Sequence, residues 1–282
     1  MLSNRWMVLL LTAAAPCVWG TTYIVASELL PADRPLLAAV LRSLPAGLLL
    51  AVLIRRLPRG SWWARSAVLG VLNIGVFFAF LFIAAYRLPG GAAATIGAVQ
   101  PLIVAVLASR WIGEKLTLSK VAAGVIGLAG VALLVLQAQV RLDMLGVTAA
   151  LGGALAMACG VVLTKKWGRP DTLLATTSWQ LIAGGLFLVP IALLVEGPPP
   201  SNLTVANTVG YLYLGIIGTA LAYTLWFRGV HLLPTSSTAL LGLLSPLVAT
   251  VAGWALLEQR LTAGQVLGAL PPLILSVGRG RG

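Results

Sequence analysis

A hydrogen-bonding residue stands directly before a proline in two long apolar runs. "IGAVQPLIVAVL" begins at Ile96, and "LGLLSPLVATVA" begins at Leu241, 145 residues later. The corresponding pairs are Gly97 and Gly242, Gln100 and Ser245, and Pro101 and Pro246. Proline removes the helical hydrogen bond to the carbonyl four residues earlier and crowds that carbonyl. We therefore predict two helix kinks that turn Gln100 and Ser245 towards a cavity, with simple packing bends as the competing interpretation.

Other polar and aromatic side chains inside apolar runs could bind a solute in the same cavity, because an unpaired polar group is costly in apolar surroundings. Arg42 is the most costly of them. It either contacts a substrate or gate, or forms a structural ion pair with Glu28, and both interpretations stay open. The other predicted substrate-binding residues are Trp19 and Thr22 of "VWGTTY", Asn73, Phe77, Trp179 and Tyr223.

Several kinds of chemistry have no motif in this sequence. It contains no GxxxxGK[ST] phosphate loop and no HExxH cluster, and it has one histidine, His231. Asp and Glu occur only near the ends of apolar runs or between them, so no carboxylate pair indicates hydrolysis. Cys17 and Cys159 are interpreted as packing residues. We therefore expect no enzyme activity, no cofactor and no metal site.

The elements that must position these residues are apolar runs long enough to cross a membrane. Of the 282 residues, 59% are hydrophobic and 9% are charged, with a mean hydropathy of +0.99. A membrane-spanning helix needs about 20 apolar residues. We predict ten, numbered spans 1 to 10: 5–27, 35–54, 64–86, 91–110, 117–137, 144–165, 172–194, 206–228, 235–257 and 261–278. The first begins like a signal peptide but continues too far, so we expect it to be retained.

The distribution of positive charge predicts the orientation in the membrane. The net charge is +12, and of the 19 Lys and Arg residues, 14 fall in one alternating set of loops and flanks. Four fall in the other set, and Arg42 lies within a span. The positive-inside rule explains this split without a nucleic-acid partner. Both termini are therefore expected in the cytoplasm, with the lipid bilayer as the surrounding partner.

The 145-residue offset extends beyond the proline motifs and divides the chain into two halves. Gly70 corresponds to Gly215 and Phe82 to Phe227, and "LP" at 88–89 corresponds to "LP" at 233–234. Each half holds five spans, so the second half enters the membrane from the opposite side. The predicted fold is an all-α integral membrane protein of ten transmembrane helices, in two inverted five-helix repeats at 5–137 and 144–278. Secondary transporters often use this arrangement, with the substrate between the repeats.

The ordered set of motifs resembles a known family. "WGTTY", Arg42, Pro101, Pro246, "GEKLT" and "EQRLT" together resemble the ten-helix EamA type of the drug/metabolite transporter superfamily. The resemblance implies an exporter of the inner membrane with cytoplasmic termini. Known substrates of such proteins include amino acids, among them threonine and aromatic ones. The sequence departs from the family at Pro271-Pro272, which interrupts span 10.

We therefore expect a secondary active transporter that exports hydrophobic, aromatic or threonine-like amino acids and related metabolites by alternating access. The alternative is a broader multidrug or metabolite efflux carrier of the same fold, and a membrane enzyme or channel is the remaining class. The small residues of spans 5 and 10 suit close packing either between the repeats or between two copies, so a monomer and a dimer both fit.

Overall fold

The computed structural model describes residues 2–97, 99–115, 143–233, 241–242 and 244–257, and contains no strand in these ranges. The helices are Leu2–Gly20, Thr22–Leu29, Pro35–Ile54, Trp62–Gly70, Phe77–Arg87, Gly90–Gly97, Gln100–Ile112, Met144–Trp167, Leu173–Val195, Val205–Leu212, Ala222–Leu232 and Leu244–Leu257, with π-helical segments at Val71–Val76 and Tyr213–Leu221. Seven stretches of the described chain are long and apolar enough to cross a membrane, and Leu244–Leu256 is a shorter apolar helix. The predicted all-helical membrane fold is confirmed. Spans 5 and 10, with Pro271-Pro272, lie outside the described residues.

Local sequence signals explain where several spans begin and end. Span 6 begins after Asp143, whose carboxylate accepts hydrogen bonds from the backbone N–H groups of Leu145 and Gly146. The Thr172 hydroxyl caps span 7 in the same way. Gly113 ends the described helix of span 4 with φ +70, a left-handed conformation that glycine adopts without steric cost.

The π-helical segments occupy corresponding places in spans 3 and 8. Shifting Val71–Val76 by the 145-residue offset gives positions 216–221, which are the last part of Tyr213–Leu221. In the second segment, the Thr219 hydroxyl donates to the Leu214 carbonyl, five residues earlier, at 2.8 Å. Short π segments within α-helices are frequent at functional sites. Sequence periodicity did not predict either segment.

The packing of the spans is consistent with a duplicated arrangement. Span 1 packs on spans 8 and 9, and span 6 packs on spans 3 and 4. Span 7 packs on spans 2 and 3, while span 2 also packs on the π segment of span 8. Exchanging each span with its counterpart in the other repeat therefore reproduces these contacts. Residues of both repeats contribute to the main hydrophobic core.

Glycines allow spans 2 and 7 to approach closely at the centre of this arrangement. A Cβ atom at Gly47 would lie 2.8 Å from the Cβ of Leu181, and one at Gly185 would lie 2.8 Å from the Cβ of Leu44. Real Cβ atoms do not approach so closely, so any larger residue would push the two helices apart. The two repeats are thus in direct contact along spans 2 and 7.

Candidate functional site

Arg42 is buried where span 2 of the first repeat meets the π segment of span 8. Its side chain is 2% exposed. The guanidinium donates from Nε to the Thr219 hydroxyl at 3.1 Å, from one terminal nitrogen to the Thr22 hydroxyl at 3.3 Å, and from the other to the Gly218 carbonyl at 3.4 Å. It also lies over the Phe78 ring, 4.6 Å from the centroid. Every one of these partners is electrically neutral.

The Gly218 carbonyl accepts a second side-chain hydrogen bond from the first repeat. The indole N–H of Trp19 donates to it at 3.0 Å. In an α-helix this oxygen would be directed at the N–H four residues later, whereas a π segment changes that pairing. The irregular backbone of span 8 therefore presents an acceptor that Trp19 and Arg42 share. We call Trp19, Thr22, Arg42, Gly218 and Thr219 the Arg42 cluster.

Aromatic rings adjoin the Arg42 cluster. The Trp19 ring lies 5.2 Å from that of Tyr223 and 5.4 Å from that of Trp226, centroid to centroid, at tilted angles. The hydroxyls of Tyr213 and Thr21 share a hydrogen bond at 2.7 Å. Thr21 lies in the turn that separates the two helices of span 1. The structure thus brings together three of the predicted substrate-binding residues, Trp19, Thr22 and Tyr223.

A second polar cluster, also built from both repeats, occupies the counterpart position of the duplicated arrangement. Asn73, in the π segment of span 3, donates to the side-chain oxygen of Gln180 at 2.8 Å and to the Thr164 hydroxyl at 3.4 Å. Gln180 lies on span 7, the counterpart of the span that holds Arg42. A Cβ at Gly160 would lie 1.8 Å from the Asn73 Oδ1, so a larger residue there would displace the Asn73 side chain from this position. In the described part of the chain, that buried Oδ1 has no hydrogen-bond donor.

The ion pair between Arg42 and Glu28, one of the two interpretations of Arg42, is not present among the described residues. Glu28 is exposed and lines a cavity. Both Thr22 and Glu28 belong to the helix Thr22–Leu29. Six residues along a helix correspond to a rise of about 9 Å and a rotation of about 240°. A helix that directs Thr22 at Arg42 therefore directs Glu28 elsewhere.

Trp179 and Phe77 lie apart from the Arg42 cluster. The Trp179 indole N–H donates to the Arg56 carbonyl at 2.7 Å, so this buried ring fastens span 7 to the chain that follows span 2. Phe77 packs near Gly153 of span 6, and its ring is 5.7 Å from that of Phe78. Phe78, which is not among the predicted residues, lies closer to the guanidinium than Phe82 does, at 4.6 Å against 5.9 Å to the ring centroid.

Span 4 is interrupted at the first proline motif. One helix ends at Gly97, Val99 forms a turn, and the next helix begins at Gln100 with Pro101 in its first turn. Proline is well tolerated there, because the first helical N–H groups have no helical partner. Gln100 is half-buried, and no hydrogen bond joins it to the Arg42 cluster in the ranges that the structure describes.

The second proline motif lies against span 1. Pro246 is in the first turn of the helix Leu244–Leu257, and Gly242 is helical just before it. A Cβ at Gly20 would lie 2.5 Å from the Ser245 carbonyl oxygen and 2.7 Å from the Val248 Cβ. Ser245 therefore contacts the residue next to Trp19, through its backbone.

A cavity of about 310 Å³ lies between the two repeats at the end of span 1. Its lining comes from the ends of spans 1 and 3, the start of span 4, and span 9. In the topology predicted from the positive charges, this end of the bundle is the outward end, and the opposite end is the inward end. Tyr23, which lines the cavity, directly follows Thr22 of the Arg42 cluster along the chain. We call this space the Glu28 cavity.

Polar contacts between the repeats also occur at both ends of the bundle. At the outward end, Arg87 donates to the Asp143 carboxylate at 2.7 Å and, with the Gly146 backbone N–H, lowers the pKa of that carboxyl. The Glu196 carboxylate accepts from the Leu36 and Leu37 backbone N–H groups at 2.6 and 2.9 Å, which caps span 2.

At the inward end, Arg56 forms an ion pair with Asp171 at 2.7 Å. The backbone N–H of Thr172 and the Arg56 side chain lower the pKa of Asp171. Lys165 forms a second ion pair there, with Glu114. Both pairs join a residue of one repeat to a residue of the other, as does the contact of Glu196 with the start of span 2 at the outward end.

Gly218, Thr219, Phe78, Thr164 and Gln180 are site residues that the predicted set did not include. Gly218 could have been selected from the sequence, because the 145-residue offset makes it the counterpart of Asn73. Thr219, Thr164 and Gln180 depend on the packing of spans from different repeats, and Phe78 depends on the packing of spans 2 and 3; no single-span pattern shows either.

Known proteins match nearly the whole length of this chain. The EamA-like transporter family matches twice, at residues 5–136 and 144–275. The protein PecM of Dickeya dadantii is 48% identical over 258 residues, which are 91% of this chain and 86% of PecM. A probable amino-acid metabolite efflux pump of Escherichia coli is 28% identical over 272 residues, with 90% and 88% coverage. A protein of known crystal structure, 20% identical, shares the fold with a TM-score of 0.70 over 98% of each chain.

Proposed function

Because this chain belongs to the EamA-like transporter family, we propose that it exports amino acids and related metabolites as a secondary active transporter that works by alternating access. Its relatives are transporters and not enzymes. The Escherichia coli relative is named a probable amino-acid metabolite efflux pump, which supports this substrate class.

The buried charge of Arg42 is the observation that favours a carboxylate-bearing substrate. Removing a cation from water costs several kcal/mol unless an opposite charge compensates. Six of the seven acidic residues are described, and none of them forms an ion pair with Arg42. A guanidinium has five N–H donors, and three are used in the contacts of the Arg42 cluster. A substrate carboxylate would supply both the missing charge and the remaining acceptors.

The rings beside the Arg42 cluster suit an apolar or aromatic side chain. Trp19 and Trp226 are half-buried and Tyr223 is 7% exposed, so they offer aromatic faces in a site with little water. Rings at such distances pack with one another and with other apolar groups through their faces and edges. The hydroxyls of Thr22 and Thr219 supply hydrogen bonds that a threonine-like substrate can also use.

Alternating access fits the duplicated contacts between the repeats. In an inverted repeat, rocking one half against the other closes one side while it opens the other. Arg56 with Asp171, at the inward end of spans 2 and 7, has as its counterpart Glu196 with the start of span 2 at the outward end. We propose that these two contacts break in turn during the transport cycle.

The alternative, a broader efflux carrier of lipophilic cations, would require a negative charge in its binding pocket. Pockets for lipophilic cations usually provide an acidic counter-charge, whereas the ionised group among the rings around Trp19 is the positively charged Arg42. This arrangement favours a zwitterion or a carboxylate over a lipophilic cation.

Export by intact cells tests the proposed function. Cells that overproduce the protein should tolerate toxic amino-acid analogues and release the parent amino acids, and the Gln100→Ala variant should be impaired while still inserted in the membrane. Resistance to lipophilic cations alone, with no release of amino acids, would establish the broader efflux carrier instead. Normal export by Gln100→Ala would leave the first proline motif with a packing role only.

A further inference from the structure

We propose that the Glu28 cavity binds the primary ammonium group of the transported substrate on the outward side of the protein. This inference rests on the proposed function. The ammonium and carboxylate groups of an amino acid share one carbon, and Glu28 lies about 9 Å along its helix from Thr22, so the cavity holds the substrate at a different step of transport from the Arg42 cluster. At about 310 Å³ the cavity falls at the small end of the range for ligand pockets. Its residues come from both repeats, with Tyr23 and Glu28 on span 1 and Ala249 and Gly253 on span 9.

The polar groups of the cavity accept hydrogen bonds, which suits a ligand rich in donors. The Glu28 carboxylate forms no ion pair in the described ranges and is exposed to the cavity. The Ser27 hydroxyl donates its hydrogen to the Ile24 carbonyl at 3.2 Å, so the lone pairs of its oxygen remain for a ligand. A primary ammonium has three donors and no acceptor. A carboxylate ligand would instead meet another negative charge.

The remaining walls suit the carbon skeleton next to an ammonium group. Ala85 and Leu88 provide apolar surface, and the Tyr23 ring provides an aromatic face to which a cation is attracted. The position of Tyr23 is fixed by close packing, because a Cβ at Gly90 would lie 2.8 Å from the Tyr23 Cβ. The cavity therefore combines one negative charge, a hydroxyl acceptor and an aromatic face.

The cavity lies between the repeats, so their relative movement would change it. Gly90 of span 4 packs on Tyr23. A Cβ atom added at Gly90 would lie 4.0 Å from the carbonyl oxygen of Ala249 on span 9. Rocking of the repeats would bring these walls together or apart. An ammonium group held there in the outward-facing state would be released when the walls separate.

Ligand-induced thermal stabilisation of the purified protein tests the ammonium site directly. The probes are phenethylammonium chloride, which has the ammonium but no carboxylate, and potassium 3-phenylpropionate, which has the carboxylate but no ammonium. We expect Glu28→Gln to raise the half-saturating concentration of phenethylammonium at least about tenfold, which corresponds to about 1.4 kcal/mol. The response to 3-phenylpropionate should not change.

Asp33→Asn is the matched control. Asp33 is an exposed acid five residues away, does not line the cavity, and has φ 57, which asparagine tolerates. This variant should bind both probes as the unaltered protein does. The proposal is overturned if Glu28→Gln binds phenethylammonium normally, or if it weakens both probes equally. Stabilisation by sodium chloride but not by potassium chloride, abolished in Glu28→Gln, would assign the site to sodium and also overturn it.

Transport in liposomes separates this inference from the proposed function. If the unaltered protein moves no amino acid but Glu28→Gln still loses phenethylammonium selectively, the proposed function fails and the ammonium site stands. If amino acids move and Glu28→Gln transports them with unchanged half-saturation, the ammonium site fails and the proposed function stands.

Discussion

Replacing Arg42 with methionine should abolish transport while the protein remains about as stable as before. The side chains are similar in volume, but the charge and its hydrogen bonds are lost. Three bonds from a charged donor, at 3.1 to 3.4 Å, contribute about 1.5 kcal/mol each at the low end of the usual range. The contact with the Phe78 ring at 4.6 Å contributes about 2 kcal/mol. The variant therefore loses about 6 kcal/mol of favourable contacts.

Two gains offset that loss in Arg42→Met. A desolvation cost of several kcal/mol disappears with the charge, and a buried methionine side chain contributes about 2 kcal/mol. The partners that remain are neutral and keep other contacts, since Thr219 still donates to Leu214 and Gly218 still accepts from Trp19. We expect the free energy of unfolding to change by no more than about 2 kcal/mol.

The assay combines thermal unfolding of the purified variant in detergent with amino-acid export from cells that contain equal amounts of protein. Arg110→Met is the control, because Arg110 is exposed on span 4 and its loss should affect neither measurement. Export by Arg42→Met at the unaltered rate would refute a substrate-binding role. A large loss of stability would show instead that Arg42 mainly holds spans 2 and 8 together.

Three further predictions concern packing, pH and topology. Gly20→Ala should separate span 1 from span 9 and lower both thermal stability and transport, because the new Cβ would lie 2.5 Å from a backbone carbonyl oxygen; unchanged thermal unfolding would contradict this packing. The lowered pKa of Asp143 means that its pairing with Arg87 stabilises the protein above the pKa of the unfolded carboxyl and is lost as the pH falls through the lower folded value. The acid-side fall in thermal stability should therefore be smaller in Asp143→Asn, and an unchanged pH profile would count against the pair. Cysteines placed at Arg141 and Lys166 should be labelled from outside and inside respectively, and the reverse pattern would invert the predicted topology.

Apolar length was sufficient to predict most of the described fold. The run 35–54 coincides with the helix Pro35–Ile54, and 172–194 differs by one residue at each end from Leu173–Val195. These bounds follow from the thickness of the bilayer and from local signals such as Pro35 at the first helical position. The π segments could not be predicted in this way, because a wide helical turn is stabilised by contacts such as that between Thr219 and Arg42.

The sequence was sufficient to predict several residues of the candidate site, but not which residues contact one another. Trp19, Thr22 and Tyr223 were selected because polar and aromatic side chains inside spans are costly or directional, and the structure brings them together. For Arg42 the sequence left two interpretations open, and the structure shows hydrogen bonds to Thr22, Gly218 and Thr219, which belong to other spans. The hydrogen bond of the Trp179 indole N–H to the carbonyl of Arg56 could not be predicted, because it depends on how spans 2 and 7 pack.

Counterflow in liposomes that contain the purified protein tests the central claim most directly. Vesicles loaded with unlabelled phenylalanine or threonine should accumulate the same labelled amino acid, and an excess of 3-phenylpropionate should compete through its carboxylate. Arg42→Met vesicles should show no accumulation, whereas Arg110→Met vesicles should match the unaltered protein. The account is contradicted if unaltered vesicles exchange no amino acid, or if Arg42→Met exchanges amino acids as fast as the unaltered protein.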